Sequence, residues 1–159
     1  MHNTAIYPGS FDPCTNGHLD IIERSARIFD RVVVAVLTNS VKTPCFSIDE
    51  RMNLLLHVTS HLDNVEIDCF SGLLADYATK KSASVIIRGL RAMSDFEYEF
   101  QMALTNKKLN NAAETMFLTT SAENMYLSSS VVREIAMLGG AVNGMVPPYV
   151  EHALREKYK

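Results

Sequence analysis

With 159 residues the chain has room for one domain, 1–159, and none for a separate regulatory unit, since domains run to about 100–200 residues. Hydrophobic residues make up 47% and charged residues 21%, which excludes disordered, fibrous and disulfide-stapled classes. Fifteen Lys and Arg against 18 Asp and Glu leave a net charge of -3, too acidic for a general grip on nucleic acid or an anionic membrane, so any anion site has to be local.

Thr4-Ala5-Ile6-Tyr7, followed by Pro8-Gly9, fits a short buried strand ending in a turn. Ser10 to Asn16 is a polar loop. From Gly17 onward Leu19, Ile22, Ala26 and Phe29 recur at helical spacing, with Thr15 or Asn16 suited to cap the helix. Val32 to Leu37 is β-branched at nearly every position and reads as a strand covered on both faces. Ser47-Ile48-Asp49-Glu50 is a capping-box pattern, and Met52, Leu55, Leu56 and Leu62 continue one apolar stripe, which predicts a helix over about 48–62. Val65 to Cys69 alternates like a strand, Leu73 to Lys80 looks helical, and Ser84 to Ile87 is another short buried strand. Phe96, Phe100 and Leu104 mark a helix through about Leu109; with Met102 they read as core or subunit packing. Thr115 to Thr119 is the fifth strand. Val131, Ile135 and Leu138 define a helix stopped by Gly139-Gly140, and Pro148 opens the last one.

Five strands alternating with helices give an α/β fold with a doubly wound, five-stranded parallel sheet. Such sheets bind ligands at the carboxyl ends of their strands. The loops after Tyr7, Leu37, Ile87 and Thr119 are therefore the places to look.

Cys14, Cys45 and Cys69 are odd in number and far apart, and they read as reduced thiols in a cytoplasmic protein. Asp12, Asp20 and Glu23 interrupt the region a signal peptide would need, so none is expected. The longest uncharged stretch, Ile135 to Val150, falls short of the roughly 20 residues of a membrane span. His57 and His61 have zinc-compatible spacing, but Val58 stands where a zincin needs Glu and no third ligand is evident, so no metal site is expected.

The first loop runs Tyr7-Pro8-Gly9-Ser10-Phe11-Asp12-Pro13-Cys14-Thr15-Asn16-Gly17-His18. Gly9 allows a sharp turn, Ser10 supplies a hydroxyl, and Gly17 lets phosphate approach the first turn of the helix, where His18 stands at a positive helix end. About 110 residues later, Tyr126-Leu127-Ser128-Ser129-Ser130 places three hydroxyls at a helix start, which is a cap and also a phosphate cradle. Thr15-Asn16-Gly17-His18 resembles the (His or Thr)-x-Gly-His motif of the nucleotidyltransferase superfamily, and the serine cluster resembles that superfamily's second signature. Arg88-Gly89-Leu90-Arg91, then Asp95-Phe96-Glu97-Tyr98-Glu99, with Lys42 after the second strand, narrows the likeness. End to end, the chain resembles the bacterial phosphopantetheine adenylyltransferases.

That resemblance implies transfer of the adenylyl group of ATP to 4′-phosphopantetheine, giving dephospho-coenzyme A and pyrophosphate, the penultimate step of coenzyme A synthesis. It assigns His18 to the triphosphate and the transition state, Ser10 to both substrates, and Phe11 to ATP. Lys42 and Arg88 would hold the phosphopantetheine, with the backbone at Leu74 on its amides. Gly89, Leu90, Arg91 and Glu99 would surround the nucleotide, and Asn124, Met125, Tyr126, Leu127, Ser128, Ser129 and Ser130 would close over it. Lys42, Arg91 and Ser10 would join His18 in the catalytic set. Ser10 stands where members often have Thr, and Asn124 and Met125 depart from the family pattern, so only backbone contacts are carried over there. Arg88 and Arg91 could also pair with Asp95 and Glu99. Magnesium would arrive with ATP; a homohexamer and restraint by coenzyme A are further implications.

Two rival readings stay open on the sequence. A cytidylyltransferase for a small phosphate, or an adenylyltransferase for nicotinamide mononucleotide, uses the same two motifs but lacks the Arg-Gly-Leu-Arg block with Lys42. A non-catalytic nucleotide-binding regulator would not need a second anion site.

Overall fold

The structure, a computed structural model, describes residues 3–38 and 43–159. Five parallel strands, β1 (Thr4–Gly9), β2 (Arg31–Leu37), β3 (Val65–Phe70), β4 (Val85–Leu90) and β5 (Glu114–Thr119), form one sheet in the order β3-β2-β1-β4-β5. Helices α1 (Asn16–Ile28), α2 (Ile48–Val58), α3 (Leu74–Lys80), α4 (Met93–Leu109), α5 (Ser129–Met137) and α6 (Pro148–Lys157) connect and cover the strands.

The β-branched run of β2 is buried on both faces, as its composition requires. Val32, Val34 and Val36 meet Ile21 and Ile22 of α1, Leu54 and Leu55 of α2, and Val150 and Leu154 of α6. Val33 and Ala35 face the other way, toward Phe70, Tyr77 and Ala78. This period-2 division puts α1, α2 and α6 on one side of the sheet and α3 on the other.

Several element boundaries differ from the sequence reading. β1 continues through Pro8 and Gly9, which pair with Ala35 and Val36 of β2. A proline is tolerated in this central strand because pairing on its other side, with β4, stops at Ile6↔Ile86. Beyond that point β1 and β4 are no longer laddered together, and a crevice opens where the strand order reverses. Arg88, Gly89 and Leu90 belong to β4 itself, paired with Phe117, Leu118 and Thr119, rather than to the loop after it.

α2 is shorter than expected and turned on its axis. It ends at Val58, where the Thr59 hydroxyl donates to the Leu55 carbonyl; Leu62 follows in a turn, its N–H bonded to the Thr59 carbonyl. Its buried face is Arg51, Leu54, Leu55 and Val58, spaced i, i+3, i+4 and i+7, while Leu56 faces solvent. An arginine, then, occupies the first position of the inward stripe. The apolar residues of α4 are not core: Phe96, Phe100, Met102 and Leu104 are all exposed in the isolated chain.

Candidate active site

A cavity of about 680 Å³ opens at the carboxyl ends of β1 and β4, a volume in the range of small-molecule sites. Ser10, Phe11 and His18 line it from the β1–α1 segment. Arg88 and Gly89 come from β4, Arg91 from the loop after it and Glu99 from α4, while Leu127 and Ser128 lead into α5, which carries Ser129 and Ser130. These predicted residues are brought together. Leu74, Leu90, Asn124, Met125 and Tyr126 lie outside this lining, and Lys42 lies outside the described residues.

Local chemistry fixes His18. Thr15 caps α1: its hydroxyl accepts the His18 backbone N–H at 3.3 Å, and its own N–H donates to Nδ1 of His18 at 3.0 Å. This is a capping box with an imidazole in the place of a glutamate. Because Nδ1 is the acceptor, the ring proton of the neutral imidazole resides on Nε2. Burial, then the positive charges of Arg91 and Arg88, hold the His18 pKa down at about 4. His18 is therefore a neutral N–H donor at physiological pH. Phe11, at φ +47°, packs its ring edge-on to the imidazole with centroids 5.0 Å apart. A Cβ at Gly9 would meet the Phe11 ring at 3.0 Å, so glycine there keeps the Phe11–His18 stack in place.

The arginines are held in different ways. Glu99 accepts from both Nε and Nη2 of Arg88 at 2.7 Å, while Nη1 donates to the Pro8 carbonyl at 3.3 Å. Arg88 is thus aimed by a bidentate carboxylate. Arg91 donates to the Leu127 carbonyl at 2.5 Å and lies 4.0 Å from Asp95. The pairing that the sequence left open is present in both cases.

The serine cluster divides its tasks. Ser128 caps α5 by accepting the Val131 N–H at 3.2 Å, Ser129 donates to the Pro13 carbonyl at 2.8 Å, and Ser130 accepts from Arg133 at 3.4 Å. Arg133 also donates to the Asp12 carbonyl. The two motifs, remote in sequence, are bolted to each other.

Sequence reasoning missed Tyr7, Asp12, Thr43, Arg51, Tyr98 and Arg133, all of which line the cavity. Asp12 accepts the N–H groups of Cys45 and Phe46 at 2.9 and 2.8 Å and so anchors the segment after β2. Arg51 and Arg133 gave no signal, because a charged residue on an amphipathic helix reads as solvent-facing.

Among the described residues no Ser or Cys is hydrogen-bonded to His18 as a nucleophile to its base. Burial pushes the Cys14 thiol up to about 12, leaving it protonated. Among the described residues no group of three or more His, Cys, Asp or Glu gathers as a metal site. His57 stacks on Tyr149 at 3.6 Å, and His61 pairs with Glu23 at 2.9 Å. No described helix is long and apolar enough to cross a membrane. What the cavity offers is hydroxyls, a neutral imidazole donor and guanidinium groups, a set for binding and stabilising phosphate oxygens.

Comparison with known proteins agrees with this chemistry. The cytidylyltransferase-like family model matches residues 6–135. A protein of Caldanaerobacter subterraneus subsp. tengcongensis is 60% identical over 155 residues, covering 98% of this chain and 97% of the relative. One of Carboxydothermus hydrogenoformans is 57% identical over 155 residues, covering 98% and 96%. Both are named phosphopantetheine adenylyltransferase. A crystal structure from Vibrio parahaemolyticus, provisionally named a nicotinate-nucleotide adenylyltransferase, superposes with a TM-score of 0.73 at 18% identity, covering 99% of this chain and 96% of that one; it attests the fold. At such identity over nearly its whole length, the chain is a nucleotidyltransferase and belongs to the phosphopantetheine adenylyltransferase family.

Proposed function

We propose that the chain transfers the adenylyl group of ATP to 4′-phosphopantetheine, releasing pyrophosphate and forming dephospho-coenzyme A. The observation that carries this is a cavity where a neutral His18 donor, Arg88 and Arg91 and the Ser128–Ser130 hydroxyls converge without, among the described residues, a nucleophile and base pair. A phosphate monoester needs no base: its second pKa is about 6, so it is largely dianionic at neutral pH. Its oxygen attacks the α-phosphorus in line, forming a P–O bond as the bond to the bridging oxygen of the β-phosphate breaks. The electron pair leaves with pyrophosphate, and no covalent enzyme intermediate forms.

The protein's part is positioning and electrostatics. Nε2–H of His18 donates to the triphosphate as charge builds in the transition state. Arg88, its Nε and Nη2 aimed by Glu99, offers its remaining Nη donors to the acceptor phosphate, and the resemblance assigns Lys42 to the same phosphate. Ser10 and Phe11 lie between the two substrates. Gly89, Leu90 and Arg91, with residues Asn124 to Ser130, enclose the nucleotide, and the Leu74 backbone takes the pantetheine amides. Magnesium enters as part of the MgATP substrate, coordinated by phosphate oxygens, and neutralises charge there. Coenzyme A, which carries both a pantetheine arm and an adenosine diphosphate, would compete for the same cavity. The working form is a cytoplasmic homo-oligomer, a hexamer on the resemblance.

The test is pyrophosphate release from MgATP with and without 4′-phosphopantetheine, for the native protein and for His18→Ala. Release that depends on the acceptor, and falls by about 10²-fold or more in the variant while ATP still binds, is expected. Absence of release with this acceptor rejects the reaction and turns attention to other phosphate acceptors.

A further inference from the structure

Arg51 is almost wholly enclosed, with 2% of its surface exposed, yet it lines the cavity. Its Nε donates to the Ser47 carbonyl at 3.4 Å and Nη1 to the Ser10 carbonyl at 2.9 Å. Neither partner is charged. The other cavity arginines each have a carboxylate: Glu99 for Arg88, Asp95 at 4.0 Å for Arg91, and Asp12 at 3.7 Å for Arg133. Among the described residues none lies in ion-pair range of Arg51. Asp12, which shares this wall, has its two oxygens engaged by Cys45 and Phe46.

A buried cation without a counter-charge is costly, and such groups are kept where something else supplies the charge. A guanidinium has five N–H donors, of which the two carbonyl bonds use two. Nη2 has no partner among the described residues and is not among the sealed-off buried nitrogens, so, with Arg51 in the cavity wall, it is the group left to meet a ligand. Arg51 also belongs to the helix that follows β2, the strand flanking β1 on the side away from β4. In sequence this helix follows the same β2–α2 stretch from which the proposed function draws a residue for the acceptor.

We propose that Arg51 binds the terminal phosphate of the acceptor, a phosphate monoester, and at the same time holds Ser10 against it through the Ser10 carbonyl. The inference rests on the proposed reaction for the identity of the acceptor. Bound phosphate supplies the missing counter-charge, so the site favours a dianion over an uncharged ligand of the same shape.

The test is a thermodynamic cycle, measured by titration calorimetry on native protein, Arg51→Met and Arg51→Lys. The ligands are 4′-phosphopantetheine, pantetheine without the phosphate, and a non-hydrolysable ATP analogue. Arg51→Met is expected to weaken 4′-phosphopantetheine by about 10-fold or more, the scale of a lost charged hydrogen bond. Pantetheine should change by no more than about twofold, and the ATP analogue by less than 4′-phosphopantetheine, since it meets Arg51 only through Ser10. Arg51→Lys, keeping charge but losing the fork, should recover part of the loss. Equal weakening of phosphorylated and unphosphorylated ligands would make Arg51 a purely structural residue and overturn the inference, as would no weakening. Should Arg51→Met lose its cooperative melting transition, Arg51→Lys carries the same comparison: a loss confined to the phosphorylated ligand supports the contact, and an equal loss refutes it. Native protein that binds 4′-phosphopantetheine but releases no pyrophosphate would overturn the proposed reaction alone, since the phosphate preference is read from binding. Native protein that binds neither acceptor form overturns both.

Discussion

His18 shows how one residue's surroundings select its chemistry. The Thr15 N–H on Nδ1 fixes the tautomer, and burial with Arg91 and Arg88 nearby holds the pKa near 4. The unfolded value is about 6.5, so in the free enzyme the ring stays neutral through that region and protonates only well below it. His18 should therefore contribute nothing to an acidic limb near pH 6. Protonation of the acceptor phosphate, with a pKa of about 6, should produce that limb instead. Profiles of kcat/KM against pH for native protein and His18→Ala are expected to share one shape, the variant lower throughout, and to overlay once normalised. A limb that disappears in the variant would assign it to the imidazole and contradict the neutral-donor reading.

At the scale of an element, the N-terminus of α1 is both a helix cap and a mount for the imidazole. Removing the Thr15 hydroxyl takes away the acceptor for the His18 N–H and a 3.2 Å contact to Nδ1. Thr15→Ala should cost about 1 kcal/mol, which for a chain of this size lowers Tm by about 2–4 °C. Turnover should fall by about tenfold, because a displaced donor loses alignment with the α-phosphate. Thr15→Ser should restore both in thermal melts and pyrophosphate assays; a variant that melts early but turns over normally would separate the cap from the mount. This element was legible in the sequence because its cap, its apolar spacing and its motif all point one way. α2 was legible only as a helix. Its true inward stripe begins with Arg51, and a stripe sought among apolar residues slides one position to Met52 and Leu56. β4 was read short because Arg88 interrupts an apolar run, although the arginine is still laddered to Phe117. The contacts between the two motifs, Ser129 to Pro13 and Arg133 to Asp12, depend on residues over a hundred positions apart and leave no local trace.

For the whole molecule, α4 poses the remaining physical question. Helices in proteins gain most of their stability by packing an apolar face, yet none of the described side chains of this 17-residue helix is buried. Phe96, Tyr98, Phe100, Met102 and Leu104 are between 37% and 64% exposed, and Met116 of the edge strand β5 adds to the apolar surface. The exposed row Phe96, Phe100 and Leu104, at i, i+4 and i+8 on one helix face, fits the homo-oligomer proposed above. α4 also carries Glu99, so whatever steadies the helix steadies Arg88 in the cavity. Leu104→Asp places a charge on that surface without touching the site. In light scattering coupled to gel filtration, native protein should elute as an oligomer and Leu104→Asp as a smaller species with unchanged far-UV circular dichroism. KM for the acceptor should rise more than KM for ATP, because the effect reaches the site through Glu99 and Arg88. A native protein that is monomeric at assay concentration would leave α4 without a partner and refute the association. A dissociated variant with native kinetics would show instead that the Glu99–Arg88 pair holds its geometry within a single chain.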